Sequence, residues 1–265
     1  MGCKQFALTV FASLFLSTSL NAQQTPPIAQ RDSHAVNLLE QCLNAAGGTS
    51  AISAIKDFTG TGNITYYWAG EQVTGSVTVR GLGASLFRLD AQLPNGPRSW
   101  LVTDLKGSIK KADGTVSTIS YANAVNRGSL TLPYVPIATA LADSSFSVTN
   151  VGTTTVEGRK GTMVQVQHVF SPNDDPAGDL KKFSTRSYVI DLQTFAILEA
   201  LDTMWSDDGR MRPVEHEVVF SKFTTVNGLS VPFSIEEKLG GQETWSLELD
   251  NLVFNTGLAD SVFQF

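Results

Sequence analysis

A chain of 265 residues with 19 basic and 25 acidic side chains carries a formal charge of −6. No cluster of Lys and Arg offers the phosphate contacts that nucleic acid or an anionic membrane surface would need. With 42% hydrophobic residues and two cysteines, stability has to come from apolar burial, which a chain of this size can supply.

Lys4 precedes an apolar run over residues 6–16, which is followed by Ser17, Thr18, Ser19 and Asn21-Ala22. Residues 1–22 therefore read as a secretory signal peptide. The run falls short of the ~20 apolar residues that span a bilayer and no second run follows, so no integral membrane segment is expected. Cys3 lies before the apolar run, where a lipoprotein signal would have its cysteine directly after it. Cleavage leaves Cys42 as the only cysteine and hence no disulfide. Residues 23–31, QQTPPIAQR, have the polar, Pro-bearing character of a linker, and residues 32–265 show no composition break or repeat. A single domain is expected.

Asp32 or Ser33 caps a helix that runs to about Ala46, with Val36, Leu39, Leu43 and Ala46 on one stripe, widened by Leu38 and Cys42; Gly47-Gly48 stops it. Residues 49–55 add a short second helix. From Gly62 the apolar period becomes two, and strands are expected at 63–68, 72–80, 85–93, 100–105 and 107–111. Ala69-Gly70, 94–97 (Pro-Asn-Gly-Pro) and Asp113-Gly114 supply turns. Residues 123–142 hold Leu130, Leu132, Val135, Ile137 and Leu141 around Pro133 and Pro136, which reads as a broken helix or lid-like connection. Strands resume at 145–151, 162–170, 184–192, 195–205, 214–226, 229–238 and 243–254, with tight hairpins at Asn227-Gly228 and Gly240-Gly241. Short turns between consecutive strands favour an antiparallel meander. A sheet this long has to curl, and the first helix and the 130–142 segment are its available covers.

Catalytic chemistry is hard to find. There are three histidines. His34 opens the first helix, and His168 shares a strand face with Val164, Val166 and Phe170, as a buried histidine bonded to a neighbour would. In Glu215-His216-Glu217, alternation sends His216 to one face and both glutamates to the other, so the three cannot converge on a metal. No G-x-S-x-G occurs, and Gly81-Leu82-Gly83 reads as a turn rather than as part of a dinucleotide fingerprint. Asn173-Asp174-Asp175 with Asp179, and Asp207-Asp208, sit beside Pro or Gly in solvated loops without the spacing of a calcium-binding EF-hand. No carboxylate pair is singled out, and neither a cofactor nor a metal is expected.

The apolar alternation is the informative feature. Ile64, Tyr66 and Trp68 share one face of their strand, as do Phe195, Ile197 and Leu201 on another. Val164, Val166 and Phe170, Val218 and Phe220, Val231, Phe233 and Ile235, and Trp245 with Leu247 are the residues expected to face a ligand cavity. A filled core gives the same pattern. Yet little helix is available to cover the sheet, and a curled sheet with an incompletely filled interior makes a lipid-sized pocket.

Residues 45–55, AAGGTSAISAI, followed by Phe58, Gly60 and Gly62, resemble the opening of proteins in the lipoprotein-carrier (LolA/LolB-like) superfamily. Residues 188–194, YVIDLQT, are similar to that group's strand-turn element, and residues 226–233, VNGLSVPF, with Asn255, Leu258, Asp260 and Phe263, resemble its ending. The resemblance implies a mainly β (α+β) fold. It would be a curved, half-open antiparallel barrel whose N-terminal helix and lid-like connection cover an apolar interior. It also implies a periplasmic setting and an interior that holds acyl chains. The reading that follows is a non-enzymatic carrier or sensor of a lipid or lipoprotein acyl chain, with a lipoprotein or another envelope protein as a partner. The alternative is a structural or protein-interaction module of the envelope with a filled core.

Overall fold

The computed structural model describes residues 28–265 except 69, 84, 104–105, 128–131 and 206–211; of 125–127 it describes the backbone alone. The expected signal peptide at 1–22, most of the expected linker, Leu105, Leu130 and Asp207-Asp208 lie outside the described residues.

Helix α1 (Ser33–Ala45) begins where the Asp32 carboxylate accepts the backbone N–H of Ala35 at 2.8 Å, filling one of the donor vacancies of a helix start. Its apolar stripe of Ala35, Leu38, Leu39, Cys42 and Leu43 is buried. Burial also pushes the Cys42 thiol up, which keeps it neutral. Gly47 ends the helix at φ +124°, where an added Cβ would meet the carbonyl oxygen of Gly228 at 2.6 Å. This closeness lets Ser230 donate its N–H to the Ala46 carbonyl at 2.9 Å. Helix α2 (Thr49–Ser53) follows.

The remaining chain is dominated by strands β1 (Asp57–Trp68), β2 (Glu71–Leu82), β3 (Leu86–Leu93), β4 (Gly96–Thr103), β5 (Lys106–Lys110), β6 (Val116–Ile119), β7 (Phe146–Val156), β8 (Arg159–His168), β9 (Arg186–Asp191), β10 (Ile197–Trp205), β11 (Pro213–Val226), β12 (Leu229–Leu239) and β13 (Gln242–Phe254). These 13 strands form one sheet in the order β6-β5-β4-β3-β2-β1-β13-β12-β11-β10-β9-β8-β7, with every neighbouring pair antiparallel. The first and last strands meet in the middle. The edges β6 and β7 are consecutive in the chain but twelve positions apart in the sheet, so the barrel stays open. Their connection carries α3 (Tyr121–Arg127) and α4 (Tyr134–Ala142). Tyr134, Ile137 and Ala140 of α4 join α1 and the inward residues of the sheet in one core cluster, so this connection covers the concave face. The antiparallel half-open barrel expected from sequence is the observed architecture.

Both expected hairpins are present. Val226 pairs Leu229 across Asn227 (φ 49°) and Gly228 (φ 83°), and Leu239 pairs Gln242 across Gly240 (φ 55°) and Gly241 (φ 74°). Two positive φ angles give a turn the twist of the strands it joins. A third hairpin of this kind, at Glu157-Gly158, has a weaker sequence signal because Glu rarely adopts positive φ. The YVIDLQT element is a strand end closed by its aspartate: Asp191 accepts the N–H groups of Gln193 and Thr194 at 2.7 and 2.9 Å.

Several expectations need correction. β4 starts at Gly96 rather than 100, so Gly96 and Pro97 of the expected turn belong to it; Leu201 packs on the opposite side from Ile197, because β10 is irregular between Ile197 and Glu199. β1 starts at Asp57 rather than 63; Gly60 and Gly62 hide the alternation, and Gly62 sits at a bulge where a Cβ would lie 2.0 Å from the Glu248 carbonyl. Gly81 and Leu82 belong to β2, and only Gly83 lies in the turn. β6 and the short α5 (Asp179–Phe183) were not anticipated.

The β7 edge is shielded by the segment before α1. Val148 donates to the Gln30 carbonyl and accepts from the Asp32 N–H, both at 2.8 Å. From there the Arg31 guanidinium reaches the carbonyls of Ala140, Leu141, Asp143 and Phe146 at 3.1–3.3 Å, holding the C-terminal end of α4. Arg31→Ala is expected to lower stability by about 1–3 kcal/mol, the cost of charged hydrogen bonds lost. In hydrogen exchange, loss of protection should concentrate in 137–148; uniform loss across the sheet would refute this role.

Candidate functional site

The concave face carries the residues singled out from sequence except Phe170, because β8 ends at His168 and alternation stops there. Val164, Val166, Val218, Phe220, Val231, Ile235, Trp245 and Leu247 are buried in the main core cluster, and Phe233 is half-buried against it. Phe170 lies past the end of β8, its ring centroid 4.3 Å from that of His168, and it borders a polar groove on the outer side with Gln165, Gln167 and Ser147. His168 is half-buried, its Nε2 3.0 Å from the Ser145 hydroxyl.

The two ends of this face differ in chemistry. At the end where β1 begins, a groove of about 510 Å³ opens between α2 and α4, lined by Ile52, Ile55, Phe58, Leu132, Val135 and Ala138. Behind it a void of about 10 Å³ ends on Tyr134, Leu229 and Val231, space for a single water. The helical cover is thus less tightly joined to the sheet here than over the buried cluster.

The opposite end carries charge. His216 is fully buried on β11. Its Nδ1 lies 2.6 Å from an Asp202 oxygen on β10 and its Nε2 3.2 Å from Glu237 on β12. Asp202 also receives the Nε and a terminal N–H of Arg186 on β9, at 2.9 and 2.7 Å, and Glu237 accepts the Thr244 hydroxyl on β13. The chain of contacts crosses five adjacent strands and alternates in sign, so its members compensate each other. Burial alone would lower the His216 pKa, but the two carboxylates outweigh it and lift it to about 9. Burial would raise that of Asp202, and Arg186 and His216 hold it below the usual range.

Aromatic side chains continue this end. Trp100 stands edge-on to Tyr66 and to Trp245, with centroids 6.1 and 5.7 Å apart. Across the face, α3 is fixed to β10 by Asn123, whose side chain exchanges two 2.8 Å hydrogen bonds with the backbone of Trp205. On the convex side, burial and the adjacent Glu217 push Glu199 up to about 7. Among the described residues, no group of three or more His, Cys, Asp or Glu is placed to hold a metal ion, and no helix is long and apolar enough to cross a membrane.

No family model and no curated protein matches the chain. Solved structures do. A DUF1329 family protein from Desulfovibrio piger superposes with a TM-score of 0.55 at 12% identity, over 89% of this chain and 98% of its own. A LolA superfamily protein from Nitrosomonas europaea gives 0.53 at 12% identity, over 87% and 97%. The fold is LolA-like. A putative outer membrane lipoprotein-sorting protein domain from Vibrio parahaemolyticus agrees, with 0.52 at 11% identity over 86% and 95%.

Within this LolA-like frame, alternation gave the inward side of the apolar residues other than Phe170 but not the ionic chain. Alternation correctly separated His216 from Glu215 and Glu217. Its actual partners, Asp202 and Glu237, are 14 and 21 residues away and are adjacent only through strand register. The signal available in sequence was a polar residue recurring at inward positions, as at Asp202, His216 and Glu237.

Proposed function

We propose that this chain is a periplasmic carrier that shelters the acyl chain of a lipid or lipoprotein and catalyses no reaction. The observation that carries this reading is the seam between α2 and α4, an apolar groove leading to a void that touches the concave face of a LolA-like sheet. Outward movement of α4 along the seam widens the void into room for a chain, and each Å² of apolar surface withdrawn from water contributes roughly 25 cal/mol. The Vibrio neighbour, named for outer membrane lipoprotein sorting, and the secretory character of residues 1–22 support the envelope setting. The small size of the void favours the second reading, an interaction module with a filled core.

One titration separates them. Protein purified from periplasm is extracted for lipid mass spectrometry, then titrated with a fluorescent fatty acyl probe. Saturable binding at a stoichiometry of about one supports the carrier; absence of both co-purified lipid and saturable binding supports the filled module.

A further inference from the structure

Arg98 on β4 faces the concave side: it pairs with Ala91, and Ala91, Trp100 and Val102 of the same face are buried in the main core. Among the described residues it has neither an ion pair nor a hydrogen bond. Its Nε is out of contact with solvent and donates to nothing, while its guanidinium lies over the rings of Tyr66 and Trp68, 5.3 and 5.8 Å from their centroids. The carboxylate nearest in register, Asp90, is on the opposite face and already holds Arg80, Arg88 and Ser99. The ionic chain through Arg186, Asp202, His216 and Glu237 compensates itself. Arg98 therefore adds an uncompensated positive charge to this end of the face.

A second unmet donor lies close by. Trp245 is 2% exposed, pairs with Tyr66 across β13 and β1, and its indole N–H has no acceptor among the described residues. A buried donor without an acceptor is costly, and a guanidinium stacked on aromatic faces keeps its N–H edge free for a planar or tetrahedral oxyanion.

We propose that this end of the concave face binds the anionic head group, carboxylate or phosphate, of an acyl amphiphile. Arg98 holds the oxyanion, Trp245 donates a further hydrogen bond, and the hydrocarbon chain extends toward Val231 and the α2–α4 seam. This assignment rests on the carrier reading and gives it a polarity: head at the Arg98 end, tail at the seam. Exposed Trp68, 67% accessible, lies beside Arg98.

The test uses a dansyl-labelled undecanoic acid and its uncharged methyl ester with the full mature chain. Wild type is expected to bind the acid about tenfold more tightly, the effect of one charge-assisted contact. Arg98→Met should abolish that preference while leaving ester affinity unchanged, Arg98→Lys should retain most of it, and Trp245→Phe should weaken it. Inorganic phosphate at millimolar concentration should not displace the acid, because a free anion lacks the buried chain. Equal binding of acid and ester by wild type, or a preference that survives Arg98→Met, overturns the head-group assignment and leaves the carrier reading intact. Displacement by phosphate alone overturns it in favour of a free-anion site. Failure of wild type to bind either probe removes both.

Discussion

Asp202→Ala is expected to destabilise the protein by about 3–5 kcal/mol, the usual cost of removing one partner from a buried charge pair. Asp202 is the centre of the chain, bonded to Arg186 on one side and His216 on the other. Its loss takes a shared counter-charge from both cations in the interior and leaves His216 with Glu237 as its carboxylate. Denaturant unfolding of wild type and variant measures the difference; a loss below about 1 kcal/mol, the range of an exposed ion pair, would mean that the cluster is solvated. The same chain gives stability a pH dependence of known sign. His216 in the folded state titrates near 9, above its ordinary value of 6.5, so its contribution is complete below about 6.5 and is lost as pH rises through 9. Wild type should therefore lose stability between those values. His216→Gln, less stable at pH 6, should show a flatter profile across that window. Parallel profiles would rule out a charged His216.

Two truncations on β12 should separate core from cavity. Ile235 is fully buried, whereas Phe233, on the same face two residues earlier, is half-buried against the cluster. Ile235→Ala is expected to cost about 2–5 kcal/mol, as for a packed aliphatic side chain. Phe233→Ala should cost less than the ~3–5 kcal/mol of a packed Phe, while weakening affinity for a fatty acyl probe by more than Ile235→Ala does. A full core-sized loss at Phe233 together with no change in probe affinity would place it in a filled interior and support the interaction module.

Signals confined to a few residues were legible in the sequence. Asp32 before an apolar stripe and Gly47 after it mark α1, because a helix start needs acceptors and its stop tolerates positive φ. Asn227-Gly228 and Gly240-Gly241 mark the hairpins for the same conformational reason. Alternation along β11, β12 and β13 gave the inward faces, since successive side chains of a strand point to opposite sides. Where local chemistry is weak or masked, the reading failed. Gly60 and Gly62 conceal the start of β1 because Val79, Leu249 and Leu252 crowd the first and the bulge the second, and four-residue β6 is too short to display a period.

The tertiary structure decided everything that depends on which strands are neighbours. The pairing of β1 with β13 and the separation of β6 from β7 set an open barrel under α3 and α4, an arrangement in which contacts join residues nearly 200 positions apart. His216 acquired its carboxylates and Arg98 was left without one through register alone. Turns and faces are properties of short segments and can be read from composition and period. Electrostatic partnership is set by distances of a few Å between remote segments, because charge interaction strengthens as water is excluded and distance falls, and one sequence period cannot specify it.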